Sequence, residues 1–253
     1  VSISRRLVAE AIGSLLLAAA VIGSGVMAER LAGGNTAIAL IANTGATVAA
    51  LATLIALLGP VSGAHLNPAV SLVQALRGAL RWSEAGGYAL VQVLGCCLGA
   101  VLAHAMFGLP LVQASTHVRS GAGQYLAEAV ATFGLLLVVL GCRRAQDAPW
   151  MIAAWIGAAY WFTASTSFAN PAITIARSLS DTFAGIRPAD VGAFVAAQLI
   201  GALLALWVAR PLFALAPNTT NAVRDGVQVD PSSRVRQLTR RRQPVGSSDG
   251  RVS

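Results

Sequence analysis

The chain has 253 residues, 56% hydrophobic and only 11% charged. An ordinary soluble domain carries about a quarter charged residues, so this composition argues against one and for helices in lipid. All 18 basic residues are Arg and the net charge is +8, but they fall in loops and the C-terminal segment. With no basic surface interleaved with aromatics, they fit membrane orientation better than nucleic-acid binding.

A bilayer crossing needs about 20 apolar residues. Leu7–Ala28 supplies the first, closed by Glu29-Arg30 and Gly33-Gly34-Asn35. Arg5-Arg6 precede it without a clear cleavage site, so it reads as a spanning helix and not a removed signal. Thr36–Leu58 is the second span, ended by Gly59-Pro60; Ala85–Met106 is the third and Gln124–Cys142 the fourth. Pro149–Ala164 and Asp190–Arg210 are the fifth and sixth. Two further apolar runs, Asn67–Leu76 and Asn170–Leu179, are too short to cross and read as half-spans. From Pro211 the chain turns polar and Arg-rich; the segment 216–253 is expected to be a disordered cytoplasmic tail. Cys96, Cys97 and Cys142 sit in apolar runs without metal-ligand spacing and read as packing residues; His104 and His117 are scattered. No metal or cofactor is expected.

With both termini cytoplasmic, Arg5, Arg6, Arg77, Arg81, Arg143, Arg144, Arg210 and the tail arginines lie inside. Only Arg30, Arg119, Arg177 and Arg187 lie outside, which is the positive-inside pattern with an even number of spans. The chain also repeats. Ala9-Glu10-Ala11-Ile12 returns as Ala127-Glu128-Ala129-Val130, and Gln92-Val93-Leu94-Gly95 as Gln198-Leu199-Ile200-Gly201. Between them Asn67-Pro68-Ala69 returns as Asn170-Pro171-Ala172. The two halves are about 1–110 and 120–215. Three spans per half place the second upside down, so the expected fold is an all-α inverted repeat with its site near the midplane. Asn caps each half-helix and Pro opens its first turn. Free carbonyls before each half-helix can line a wet cavity, and the two positive N-termini meet at its centre.

The paired Asn-Pro-Ala motifs, over roughly residues 7–210, resemble those of the major intrinsic proteins, the aquaporins and aquaglyceroporins. The resemblance implies six transmembrane helices and two re-entrant half-helices, a homotetramer in the cell membrane, and passage of water and small neutral solutes. It implies that Asn67 and Asn170 donate to passing oxygens, while the half-helix ends repel cations. Glu10 and Glu128, ionisable residues inside spans, then brace the loops, as do Gln92 and Gln198; a proton relay is the alternative role for the carboxylates. His65 resembles the family's loop histidine, whether packed, pore-lining or pH-sensitive.

One departure is plain. Most family members carry Arg directly after the second motif; here Ile173 stands there. Spacing from the two Asn residues puts Thr47, Ala158 and Ser167 at the other outer-filter positions, making a wide, uncharged opening. Arg177, one turn beyond Ile173, is placed in the vestibule or paired with Asp181, with a true filter arginine as the alternative. A similar bacterial branch that lacks the filter Arg is associated with arsenic resistance. The expected solutes are therefore glycerol-like polyols or neutral metalloid hydroxides such as arsenous acid. A water-selective channel is the nearest alternative and an ion-coupled secondary transporter a more distant one. No nucleophile–base pair in the spans suggests an enzyme.

Overall fold

The computed structural model describes residues 1–213. The tail expected over residues 216–253 lies outside the described residues. The helices are α1 (Ile3–Leu31), α2 (Thr36–Ser62), α3 (Pro68–Leu76), α4 (Trp82–Phe107), α5 (Ala122–Gly141), α6 (Ala148–Phe162), α7 (Pro171–Arg177) and α8 (Pro188–Leu212). A 3₁₀ turn, Ala145–Asp147, precedes α6. Five of the helices are long and apolar enough to cross a bilayer. The sixth expected span, α6, has 15 residues, about 22 Å at helical rise, so it is shorter than a bilayer's hydrocarbon core.

The sequence expects α2 to stop at Gly59-Pro60, but the helix continues to Ser62 with Pro60 inside its last turn. It ends where Gly63 takes φ +90° and its N–H returns to the Gly59 carbonyl at 3.0 Å. That is a left-handed cap which glycine adopts without a Cβ penalty.

Two close helix pairs carry the repeat: α1 packs on α4, and α5 on α8. Glycine makes both approaches possible. A Cβ on Gly95 would lie 2.5 Å from the Ala11 carbonyl oxygen, and one on Gly201 would collide with the Ala129 carbonyl oxygen. Gly99 repeats the contact against Leu15 one turn along. In lipid, where apolar burial drives little association, this backbone approach supplies the packing.

The stretches before α3 and α7 are irregular backbone at membrane depth. Such backbone survives only when protein satisfies its polar groups. Ala64 and Leu66 take φ of +44° and +49°; Ser167 and Ala169 take +50° and +47°. These positions lie three and one residues before each Asn. Thr166, at φ +59°, matches Gly63 four residues before. A left-handed residue other than Gly costs roughly 1–2 kcal/mol, so the loops need a compensating anchor.

Glu10 and Glu128, both wholly buried, provide it. Glu10 accepts from the His65 N–H at 2.9 Å, the Leu66 N–H at 2.7 Å and the Ser62 hydroxyl at 2.6 Å. Glu128 accepts from the Phe168 and Ala169 N–H groups at 2.8 and 2.9 Å. Gln92 and Gln198 reach across from α4 and α8. Gln92 donates to Glu10 at 2.8 Å and to the Ser71 hydroxyl at 3.1 Å; Gln198 donates to Glu128 at 2.6 Å and to the Thr174 hydroxyl at 2.8 Å.

The glycine contacts give a test. Gly95→Val and Gly201→Val should each lower stability by about 1–3 kcal/mol or more, because the new side chain meets backbone and not a movable side chain. Gly45→Ala, at an exposed helical position with nothing within 4 Å, should be neutral or slightly stabilising. Thermal unfolding of the purified protein, followed by tryptophan fluorescence, separates the two outcomes.

Candidate functional site: a lumen through the bundle

The two loops meet through their asparagines. Asn67 Oδ1 accepts from the Ala69 N–H at 2.9 Å, and Asn170 Oδ1 accepts from the Ala172 and Ile173 N–H groups at 3.0 and 3.3 Å. Each side chain thus caps its own half-helix. One N–H of each amide crosses to the other half: Asn67 Nδ2 donates to the Ala169 carbonyl and Asn170 Nδ2 to the Leu66 carbonyl, both at 2.8 Å. An amide nitrogen carries two N–H groups, so each Asn keeps one for something else.

A cavity of about 300 Å³ runs past both asparagines. Along α6 it is lined by Ala148, Ile152, Ile156 and Tyr160, a stripe at four-residue spacing that follows the helix for about 18 Å. Cys142 and Ala145 border it beside the start of α6, and Thr47, Ser167 and Arg177 lie near the Tyr160 end. His65 also lines it, with Nδ1 at 3.0 Å from the Ser71 hydroxyl and its ring edge-on to Tyr88.

Of the four residues assigned by spacing to the outer filter, Thr47, Ser167 and Ile173 line this cavity. Ala158 does not; it is exposed on the outside of α6. Its place is taken by Tyr160, whose hydroxyl donates to the Thr47 hydroxyl at 3.4 Å. The reason is angular. Two residues along a helix turn a side chain by about 200°, so a two-residue error in counting through the 163–169 loop exchanges the lumen face for the lipid face. The repeat of Ile152, Ile156 and Tyr160 on one face was the signal available in the sequence.

For Arg177 the structure departs from the expectation in one respect, its partner. Arg177 is 3% exposed, lines the cavity, and lies over the Phe168 ring with its guanidinium carbon 3.3 Å from the centroid. Its Nε donates to the Ala184 carbonyl. It does not pair with Asp181, which accepts from the Thr116 N–H and hydroxyl at 2.8 and 2.9 Å. Those two bonds hold the Asp181 carboxyl below its usual pKa.

The segment between the halves is the feature the sequence did not flag. Residues 113–117 lie along the segment that follows α7: the Gln113 N–H donates to the Leu179 carbonyl at 3.0 Å and the Ser115 N–H to the Ser178 carbonyl at 3.0 Å. The Arg187 N–H closes the pairing on the His117 carbonyl at 2.7 Å. His104, at the end of α4, is buried beneath, between the Leu111 carbonyl and the Ser180 hydroxyl at 2.8 Å each.

This arrangement has relatives. The family profile described as Major intrinsic protein matches residues 1–160. The chain is 53% identical over 215 residues to "Aquaglyceroporin AqpS" of Rhizobium meliloti (strain 1021), covering 83% of this chain and 92% of that one. It is 34% identical over 104 residues to a "Probable glycerol uptake facilitator protein" of Thermotoga maritima, covering 36% and 44% of the two chains. The crystal structure of the aquaglyceroporin from Plasmodium falciparum superposes with a TM-score of 0.68 at 20% identity, over 85% of this chain and all of that one. The profile match, the long alignment and the shared fold lead to one conclusion: the chain belongs to the major intrinsic protein family of membrane channels.

Proposed function

We propose that the chain is a passive channel of the cell membrane for water and small uncharged, polyhydroxylated solutes, either glycerol-like polyols or neutral metalloid hydroxides such as arsenous acid. The observation that carries this is the asparagine pair. Each amide spends one N–H across the two halves and keeps the other beside the cavity, at the N-terminus of its half-helix. An oxygen passing this point accepts from two fixed donors, while a cation meets two positive helix ends. The names carried by the Rhizobium and Thermotoga relatives agree with a polyol-sized solute. Ile173 in place of a filter Arg favours such a solute over water alone. Tyr160 and Arg177 beside the cavity favour a narrower second reading, a water-selective pore. Homotetrameric assembly and cytoplasmic termini complete the reading; no catalysis is assigned.

Stopped-flow flux of water, glycerol and arsenous acid in proteoliposomes separates the two. Polyol conduction comparable with that of other solute channels supports the first; water flux with no glycerol or arsenous acid flux supports the second. In the same assay Ile173→Arg should reduce glycerol and arsenous acid flux more than water flux, since it adds bulk and a second fixed charge. An unchanged solute-to-water ratio removes Ile173 from the constriction.

Asn67→Asp and Asn170→Asp should raise cation or proton leak. Each replaces a donor by a carboxylate and loses a buried bond to the opposite loop, at a cost of about 1–3 kcal/mol in stability. Conductance of planar bilayers measures the first effect and thermal unfolding the second. Folded variants without leak would place the barrier elsewhere.

The orientation is tested with single cysteines at exposed positions, in a background where Cys96, Cys97 and Cys142 are replaced by Ala. A cysteine at Ser120 should react with an impermeant thiol reagent in intact cells, and one at Ala145 only after lysis. The reverse pattern inverts the orientation.

A further inference from the structure

We propose that Arg119, in the segment joining the two halves, is a positioning residue that holds the Arg177 guanidinium beside the lumen, where it selects among solutes. This rests on the channel reading above and adds a determinant outside the helices.

The argument begins with acceptors. Arg177 Nε takes the Ala184 carbonyl, and among the described residues no hydrogen bond reaches its two terminal nitrogens. The carbonyls on either side of Ala184 are taken by Arg119. Its Nε donates to Gly185 at 2.7 Å and a terminal nitrogen to Phe183 at 3.5 Å. Its other terminal nitrogen donates to Ser165 at 3.3 Å. Arg119 thereby pins the backbone on both sides of the one carbonyl that accepts from Arg177. A guanidinium with five N–H donors and one protein acceptor has donors left for a solute hydroxyl.

Charge and stacking act in the same direction. The guanidinium carbons of Arg119 and Arg177 lie 5.0 and 3.3 Å from the centroid of the Phe168 ring. Like charges on one ring repel, and Arg119 is tied down by its three carbonyls and by its own N–H, which donates to Asp190 at 2.9 Å. Phe168 is fixed edge-on to Phe194 at 5.2 Å. Arg177 is the member of the pair that borders the cavity and has donors left over.

The test compares Arg119→Gln, Arg177→Gln and the double variant in proteoliposomes at matched protein density, reading the glycerol-to-water permeability ratio. Arg177→Gln should change the ratio on the order of tenfold, the scale of one charge-assisted donor. Arg119→Gln should change it in the same direction by roughly threefold, the scale of a coupling between neighbouring side chains. The double variant should match Arg177→Gln alone, because Arg119 acts only through Arg177. If Arg177→Gln moves the ratio and Arg119→Gln does not, the positioning role is overturned while Arg177 remains a selector. Additive effects also overturn it. If Arg177→Gln leaves the ratio unchanged although the wild type conducts both solutes, Arg177 does not select and the inference fails apart from the channel reading. Should Arg119→Gln not reach the membrane, Arg119→Met, which keeps the side-chain stem, is read in the same way.

Discussion

The bond between each buried glutamate and the backbone of a re-entrant loop is what the lumen depends on. A loop at membrane depth needs protein acceptors for the N–H groups it turns away from the lumen, and several of its residues hold left-handed φ that L-residues resist. Glu10 and Glu128 answer both needs, since a carboxylate accepts from two consecutive peptide N–H groups at once. Charge-assisted bonds contribute about 1.5–3 kcal/mol each, enough together to offset loop strain of the kind found here. The anchor in turn sets where each half-helix begins, and so where Asn67 and Asn170 meet. Removing a glutamate would therefore disturb the pore without touching it.

Symmetry then does much of the remaining work. Each loop is held from its own half by a glutamate and a glutamine, and from the opposite half by an asparagine amide. Neither loop is complete alone. The crossing bonds fix the separation of the two half-helix ends, a quantity that governs both the central barrier and the donors a solute meets. The symmetry stops at the end bordered by Tyr160 and Arg177. There the α7 half carries Arg177, Phe168 and a long connecting segment bearing Arg119; at the matching distances from Asn67 the other half has Gln74 and His65, with the His65 ring edge-on to Tyr88 and Arg6 over that ring. On the proposed reading, selection belongs to the half that carries Arg177 and to its connection, and the barrier to both halves.

The helices, the two half-spans and the paired Glu and Gln positions were legible in the sequence because each rests on a local signal. Those signals are apolar runs of a given length, an Asn-Pro opening, and short strings that recur in the same order. The extension of α2 past Pro60 was not, because a proline in the last turn looks like a stop until Gly63 is seen to supply the cap.

By itself the sequence determined a helical repeat with two Asn-Pro-Ala openings; the expectation of a filter without its usual arginine came from the family resemblance. Only the tertiary structure decided which side chains border the lumen. Ala158 and Tyr160 lie two residues apart, and the path of the loop to Asn170 chooses between them. In the sequence Arg177 reads as a vestibule residue or a partner of Asp181, because its target is not visible there. Arg177 lies over Phe168 and donates to the Ala184 carbonyl, while Arg119, distant in sequence, reaches the same ring through a segment with no regular structure. A side chain's facing along a helix follows from periodicity once the helix is anchored. Where it points at a helix end depends on which rings and carbonyls the rest of the chain brings beside it, and that is known only when the chain has closed on itself.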